Sequence, residues 1–176
     1  MDKEIRDKYF GNNWHPNWDH YDYSGWALID KINADETILD VGCGFNLFKD
    51  IFGNKLHGID PANKEADELV GIMEFETDKQ WDVAFALGSL NFGTAKDVEP
   101  QVEKTISLVK PGGRIYWRQN PGLGDHPWKG VEEIKFFPWS MQLNYEWADK
   151  YNCVVVECKW DANSDRIYAE WKKSSV

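Results

Sequence analysis

Thr37-Ile38-Leu39-Asp40-Val41-Gly42-Cys43-Gly44-Phe45-Asn46 joins an apolar, β-branched run to a glycine-rich turn, with an acid inside the run. Ile38, Leu39 and Val41 suit a parallel strand buried on both faces, and Gly42 and Gly44 let backbone approach a ligand with no Cβ in the way. A dinucleotide-binding turn shares these glycines. There the loop must hold a pyrophosphate, which a carboxylate two residues before the first glycine would repel. Asp40 reverses the sign and points to a cationic ligand.

The chain has 176 residues and a formal net charge of −10. That length predicts one domain over 1–176, large enough to bury a core without disulfides or metals. The apolar runs are strand-sized, and Met1-Asp2-Lys3-Glu4 has neither the basic region nor the apolar stretch of a signal peptide, so a cytoplasmic protein with no membrane partner is expected. A phosphate-binding surface normally shows a basic stripe, which is missing, so nucleic acid is disfavoured as a partner. The three cysteines are an odd number, and Cys153 and Cys158 fall on opposite faces of one strand, which argues against a disulfide framework.

Apolar and polar residues alternate in strand-like and helix-like periods along the chain. Strands are expected at 37–41, 55–60, 69–73, 81–87, from about 113 to 117, at 153–159 and at 166–172. Helices are expected at about 24–33, 46–52, 63–68, 97–109 and 139–150. Residues 1–25 are dense in aromatics and read as a cap over the domain, and 119–138 read as a Pro- and Gly-rich insertion. Alternation of strand and helix implies parallel pairing by crossover, whereas the last two strands, joined across Asp161-Ala162-Asn163, must be antiparallel. The fold class is therefore α/β: a Rossmann-like, seven-stranded, mostly parallel sheet with a C-terminal antiparallel hairpin and helices on both faces.

The segment from Asp40 resembles the first motif of the class I S-adenosylmethionine-dependent methyltransferases, acid-x-Gly-x-Gly-x-Gly. Asp40, Gly42 and Gly44 match it, and Asn46 stands at the third glycine, where Asn is the residue that, after glycine, best accepts a positive φ. Further segments follow in the family's order. Asp60, ending the second strand ahead of Pro61, matches the acid that binds both ribose hydroxyls, since one carboxylate accepts two charge-assisted bonds from a vicinal diol. Glu74 and Phe75 sit where the family places an adenine-binding pair. Leu87, Gly88 and Ser89 lie at the carboxyl end of a central strand, the edge at which open α/β sheets bind ligands. Lys110-Pro111-Gly112-Gly113 is characteristic of the family as a turn.

The resemblance implies an S-adenosylmethionine-dependent methyltransferase, with Asp40, Gly42, Cys43, Gly44, Asn46, Asp60, Pro61, Glu74, Phe75, Leu87, Gly88 and Ser89 around the cofactor. The alternative is a module that binds the cofactor as a sensor or partner subunit without catalysis. The Asn/Asp-Pro-Pro-aromatic signature of nucleic-acid amino-methylating enzymes is absent, as is the Pro-Cys nucleophile of cytosine C5 enzymes. A small-molecule substrate is expected, cationic or flat, given the acidic charge and an aromatic lid drawn from Trp14, Trp18, Tyr21 and Tyr23 with Trp128 or Trp139 opposite. Trp14, Tyr21, Asn91, Arg118 and His126 are its candidate contacts, with Arg118 able to clamp a carboxylate or phosphate. No residue is assigned as a catalytic base. The spacing of His15, Asp19, His20, Asp125 and His126 matches no metal motif, and no metal is expected.

Overall fold

A computed structural model of the chain describes residues 1, 3–12, 23, 25–122, 134–162 and 164–176. The aromatic cap beyond Asn12, apart from Tyr23, and the middle of the insertion lie outside the described residues.

Six strands form one sheet among the described residues: β1 (Ile38–Val41), β2 (Leu56–Ile59), β3 (Trp81–Leu87), β4 (Val109–Gln119), β5 (Cys153–Trp160) and β6 (Ile167–Lys173), in the order β2-β1-β3-β4-β6-β5. The pairs β1–β2, β1–β3 and β3–β4 are parallel, and β6 runs antiparallel to both β4 and β5. The helices are α1 (Lys3–Asn12), α2 (Gly25–Leu28), α3 (Lys49–Phe52), α4 (Ala95–Ser107) and α5 (Met141–Lys150).

Strand alternation sorts the core into two layers. Ile38, Val83, Phe85, Tyr116 and Tyr168 pack on one face with Leu28 of α2 and Phe52 of α3. Leu39, Val41, Ala84, Ala86, Ile115 and Trp117 pack on the other with Val98, Val102 and Ile106 of α4 and Trp147 of α5. Each large apolar side chain so buried contributes about 1.5–3 kcal/mol. Helices therefore cover both faces, as the alternating pattern predicts.

The seventh strand, expected at 69–73, does not form. Glu68 makes one parallel bridge to Ile59, and the chain then turns as the Glu74 and Phe75 N–H groups donate to the Gly71 carbonyl. Leu69 and Met73 are 63% and 49% exposed. Ile72 and Val70 reach the core, but the glycine between them turns the chain away from the β2 edge before a ladder can form. The helix expected at 63–68 is likewise a series of turns, and the helix after the glycine turn is reduced to the four residues of α3.

At the amino edge of the sheet, Asp82 accepts from the Thr37 N–H and hydroxyl, both at 2.8 Å, and from Lys110 Nζ at 2.7 Å. Lys110 to Gly113 loop out between the partners of Trp81 and Val83, which gives β4 its register shift. The end of the insertion returns beside the loop after β3: Phe137 N–H donates to the Asn91 carbonyl and Gly93 N–H to that of Lys135, both at 2.7 Å.

Candidate active site

The chain leaves β1 outward to β2 and comes back to β3 on the other side, so the connections diverge at the carboxyl ends of β1 and β3. Such a divergence opens a crevice in doubly wound sheets. A cavity of about 200 Å³ runs along this edge, from the loop after β2 to the residue ahead of β6, with Arg6 and Phe10 of α1 also on its wall.

Gly42 (φ 72°), Gly44 (φ 56°) and Asn46 (φ 56°) all adopt left-handed backbone, so Asn46 does take the conformation that a third glycine would. A Cβ on Gly42 would lie 2.2 Å from the Ser89 Cβ. The loops after β1 and β3 therefore touch, and the Ser89 hydroxyl donates to the Val41 carbonyl. Asp60 ties in the loop after β2. Its Oδ2 accepts from Gly44 N–H at 3.0 Å, and its Oδ1 accepts from the Ala62 and Asn63 N–H groups, both at 2.8 Å.

Asp40 is 2% exposed, and its Oδ2 is buried without a hydrogen-bond partner among the described residues. Burial, reinforced by the neighbouring Asp60 carboxylate, pushes its pKa up to about 8. Burial, with Asp40 and Asp60 nearby, also raises the Cys43 thiol, which leaves it a poor nucleophile. An unpartnered buried carboxylate oxygen is costly unless something cationic or donating meets it.

Of the expected cofactor residues, Asp40, Gly42, Cys43 and Gly44 line the cavity from β1, Asp60 and Pro61 from β2, and Leu87, Gly88 and Ser89 from β3. Asn46 supports the turn from behind: its Nδ2 donates to the Glu65 carbonyl, and a Cβ on Gly58 would strike its Oδ1. Glu74 and Phe75 are not on the cavity wall. With the seventh strand replaced by a turn, Phe75 sinks into the core against His57 and Trp81 while Glu74 stays exposed.

Asn91 and Arg118 line the cavity, whereas Trp14, Tyr21 and His126 lie outside the described residues. So do Trp18, Trp128 and the other histidines and acids weighed as metal ligands; among the described residues, no group of three or more His, Cys, Asp or Glu side chains is placed to hold a metal ion. Tyr23 and Trp139 are core residues rather than lid. Tyr23 packs against Tyr116 and Tyr168, and Trp139 donates to the Leu90 carbonyl at 2.9 Å from within the core. Phe92, Phe136, Asn120 and Arg166 also line the cavity. Arg166 precedes a strand antiparallel to β4, which brings this end of β6 to the ligand edge; the sequence carried no signal of that pairing, only of the hairpin between the last two strands.

No family model matches the sequence, and a search of curated proteins finds no match. Solved structures do match. The magnesium protoporphyrin IX methyltransferase from Synechocystis PCC 6803, with bound S-adenosylhomocysteine, aligns at TM-score 0.72 and 12% identity over 98% of this chain and 100% of that one. The 1,6-didemethyltoxoflavin N1-methyltransferase from Burkholderia thailandensis, with bound 1,6-didemethyltoxoflavin and S-adenosylhomocysteine, aligns at TM-score 0.68 and 13% identity over 85% and 76%. An amino pentose methyltransferase from Micromonospora echinaspora, bound to S-adenosylmethionine, aligns at TM-score 0.65 and 13% identity over 99% and 98%. No described helix is long and apolar enough to cross a membrane. Strand order, terminal hairpin and these alignments together give the chain the fold of the class I S-adenosylmethionine-dependent methyltransferases.

Proposed function

We propose that this protein is an S-adenosylmethionine-dependent methyltransferase acting on a small molecule. The observation that carries the reading is Asp40 Oδ2, a buried carboxylate oxygen without a partner among the described residues, in the wall of the cavity beside the glycine turn. An ammonium group is the complement such an atom lacks, and a pyrophosphate is what it repels. When bound, the cofactor supplies a sulfonium-activated methyl group for in-line displacement by an acceptor nucleophile.

In this reading Asp40 holds the ammonium of the methionine end. Asp60 holds the ribose, in a way the sequence did not anticipate. Three of the roughly four acceptor positions of a carboxylate are taken by Gly44, Ala62 and Asn63 N–H groups. One position remains on Oδ2, so Asp60 accepts from a single ribose hydroxyl. With Glu74 and Phe75 off the cavity wall, the adenine falls to the segments around Ala62 and Leu87. The half-buried loop from Gly88 to Asn91 positions the acceptor and excludes water, and positioning supplies most of the acceleration in such a transfer.

Calorimetry with S-adenosylhomocysteine and NAD tests the assignment. The expected result is binding of the first, no binding of the second, and a loss of about tenfold or more in affinity for Asp40→Asn, which removes one charge-assisted bond while keeping the shape. Binding of NAD alone, or undiminished affinity in Asp40→Asn, overturns it.

A further inference from the structure

Charge is distributed unevenly along the cavity. Its acids, Asp40 and Asp60, stand at the carboxyl ends of β1 and β2, while Arg118 and Arg166 stand across β3, on β4 and ahead of β6. Arg6 of α1, the third arginine on the wall, pairs with Asp7.

Alternation along β4 explains how that end is built. Gln119 turns to the far layer, where its amide and that of Asn144 exchange hydrogen bonds of 2.9 and 2.7 Å. Its neighbours Arg118 and Asn120 line the cavity. The antiparallel register pairs Arg118 with Tyr168 and Gln119 with Ile167. Continued by one residue, it sets Arg166 across from Asn120.

Asn120 is 1% exposed. Its Oδ1 accepts from Gly122 N–H at 2.8 Å, which fixes the orientation of the amide, and its Nδ2 is buried without an acceptor among the described residues. Arg118 Nη1 lies 3.5 Å from the position of a Cβ on Gly88, so the guanidinium sits alongside the loop after β3. Asp161 attracts Arg118 and accepts from the Arg166 backbone N–H, and Arg166 Nη1 donates to the Asp165 carbonyl. These contacts hold both arginines at the edge. Beside them, Phe92 packs against Phe10 and Phe136 with ring centroids 5.2 and 5.5 Å apart, and all three rings line the cavity.

We infer that the β4–β6 end of the cavity is an oxyanion subsite, in which Asn120 Nδ2 and the Arg118 and Arg166 guanidiniums receive a carboxylate or phosphate of the methyl acceptor. The buried amide donor lacks what an oxyanion brings, and the arginines supply matching charge. The phenylalanines take an apolar or aromatic body. Calling the ligand the methyl acceptor rests on the methyltransferase reading; the subsite itself does not. The anionic handle replaces the cationic acceptor suggested by the chain's overall charge. It anchors the molecule and leaves another atom of it to reach Gly88 and Ser89.

The test is calorimetric titration of the protein, saturated with S-adenosylhomocysteine, with benzoate, phenyl phosphate, benzamide and benzylamine. At least one anion is expected to bind about tenfold or more tightly than benzamide, and the better of the two identifies the oxyanion. Arg166→Gln and Asn120→Ala are each expected to weaken that anion by about tenfold while S-adenosylhomocysteine affinity stays within about twofold. Benzamide or benzylamine binding as tightly as both anions overturns the subsite, as does undiminished anion binding in both variants. The four-probe comparison on the unaltered protein stands even where a variant fails to fold. Failure of S-adenosylhomocysteine to bind counts against the cofactor reading alone, because the same probes still report anion preference in its absence.

Discussion

Asp40 couples the proposed ligand to the proton. With its pKa raised to about 8 by burial and by Asp60, the side chain is mostly protonated at neutral pH in the free protein. An arriving ammonium favours the ionised form, so binding must release a proton. Affinity for S-adenosylhomocysteine is therefore expected to climb by up to about tenfold per pH unit from pH 5 to 7 and to level off near 8. Calorimetry in two buffers of different ionisation enthalpy reads the released proton directly, and heats that agree between buffers would refute the coupling. The sign for folding is opposite to that of a paired acid: without ligand, stability falls as pH rises from the ordinary carboxylate value near 4 toward about 8. At Gly42 a Cβ meets both a left-handed φ of 72° and the Ser89 Cβ at 2.2 Å. Gly42→Ala is expected to cost about 2 kcal/mol or more in urea unfolding, and Ser89→Gly to recover part of that loss in the double mutant, since only the collision is removed. Asp40 and the positive φ of Asn46 were legible in the sequence because each depends on its own turn. The Gly42–Ser89 contact was not, because it joins residues of different strands.

Among the elements, the reading succeeded where periodicity met burial and failed where it did not. Strands β1, β3, β5 and β6 and helices α4 and α5 fall close to their expected limits, since each has a buried stripe against a neighbour. Leu69, Val70 and Ile72 carry strand propensity, but Gly71 turns the chain after one bridge, and propensity without a partner forms no strand. Glu74 and Phe75 left the expected adenine site for that reason. Asp82 shows an element-scale tie, between the start of β3, the residue ahead of β1 and the turn into β4. Burial opposes its ionised form, yet the Lys110 ammonium and the two Thr37 donors outweigh burial and hold its pKa down at about 2. A depressed acid stabilises the fold above its unfolded value near 4, and that contribution disappears as pH falls toward 2. Asp82→Asn is expected to remove this part of the acid dependence of the melting temperature between pH 4 and 2, and an unchanged slope there would count against the clamp.

Across the whole molecule, sheet order decides which residues meet. The sequence located the acid-and-glycine half of the cavity because consecutive segments build it. The arginine half was mostly hidden, since Arg166 reaches Asn120 only through an antiparallel pairing between segments far apart in the chain. Net charge is silent for the same reason: a sum over 176 residues says nothing about which sign faces the cavity. The cross-ties of the first three loops have a consequence for redesign. Asp60 grips the Gly44 turn and Ser89 grips Val41, so a change at one of these positions obliges changes at the others. Phe136 and Arg166 arrive from later parts of the chain and carry none of those ties. A library confined to them can explore new acceptors while the proposed cofactor cradle is left as it stands.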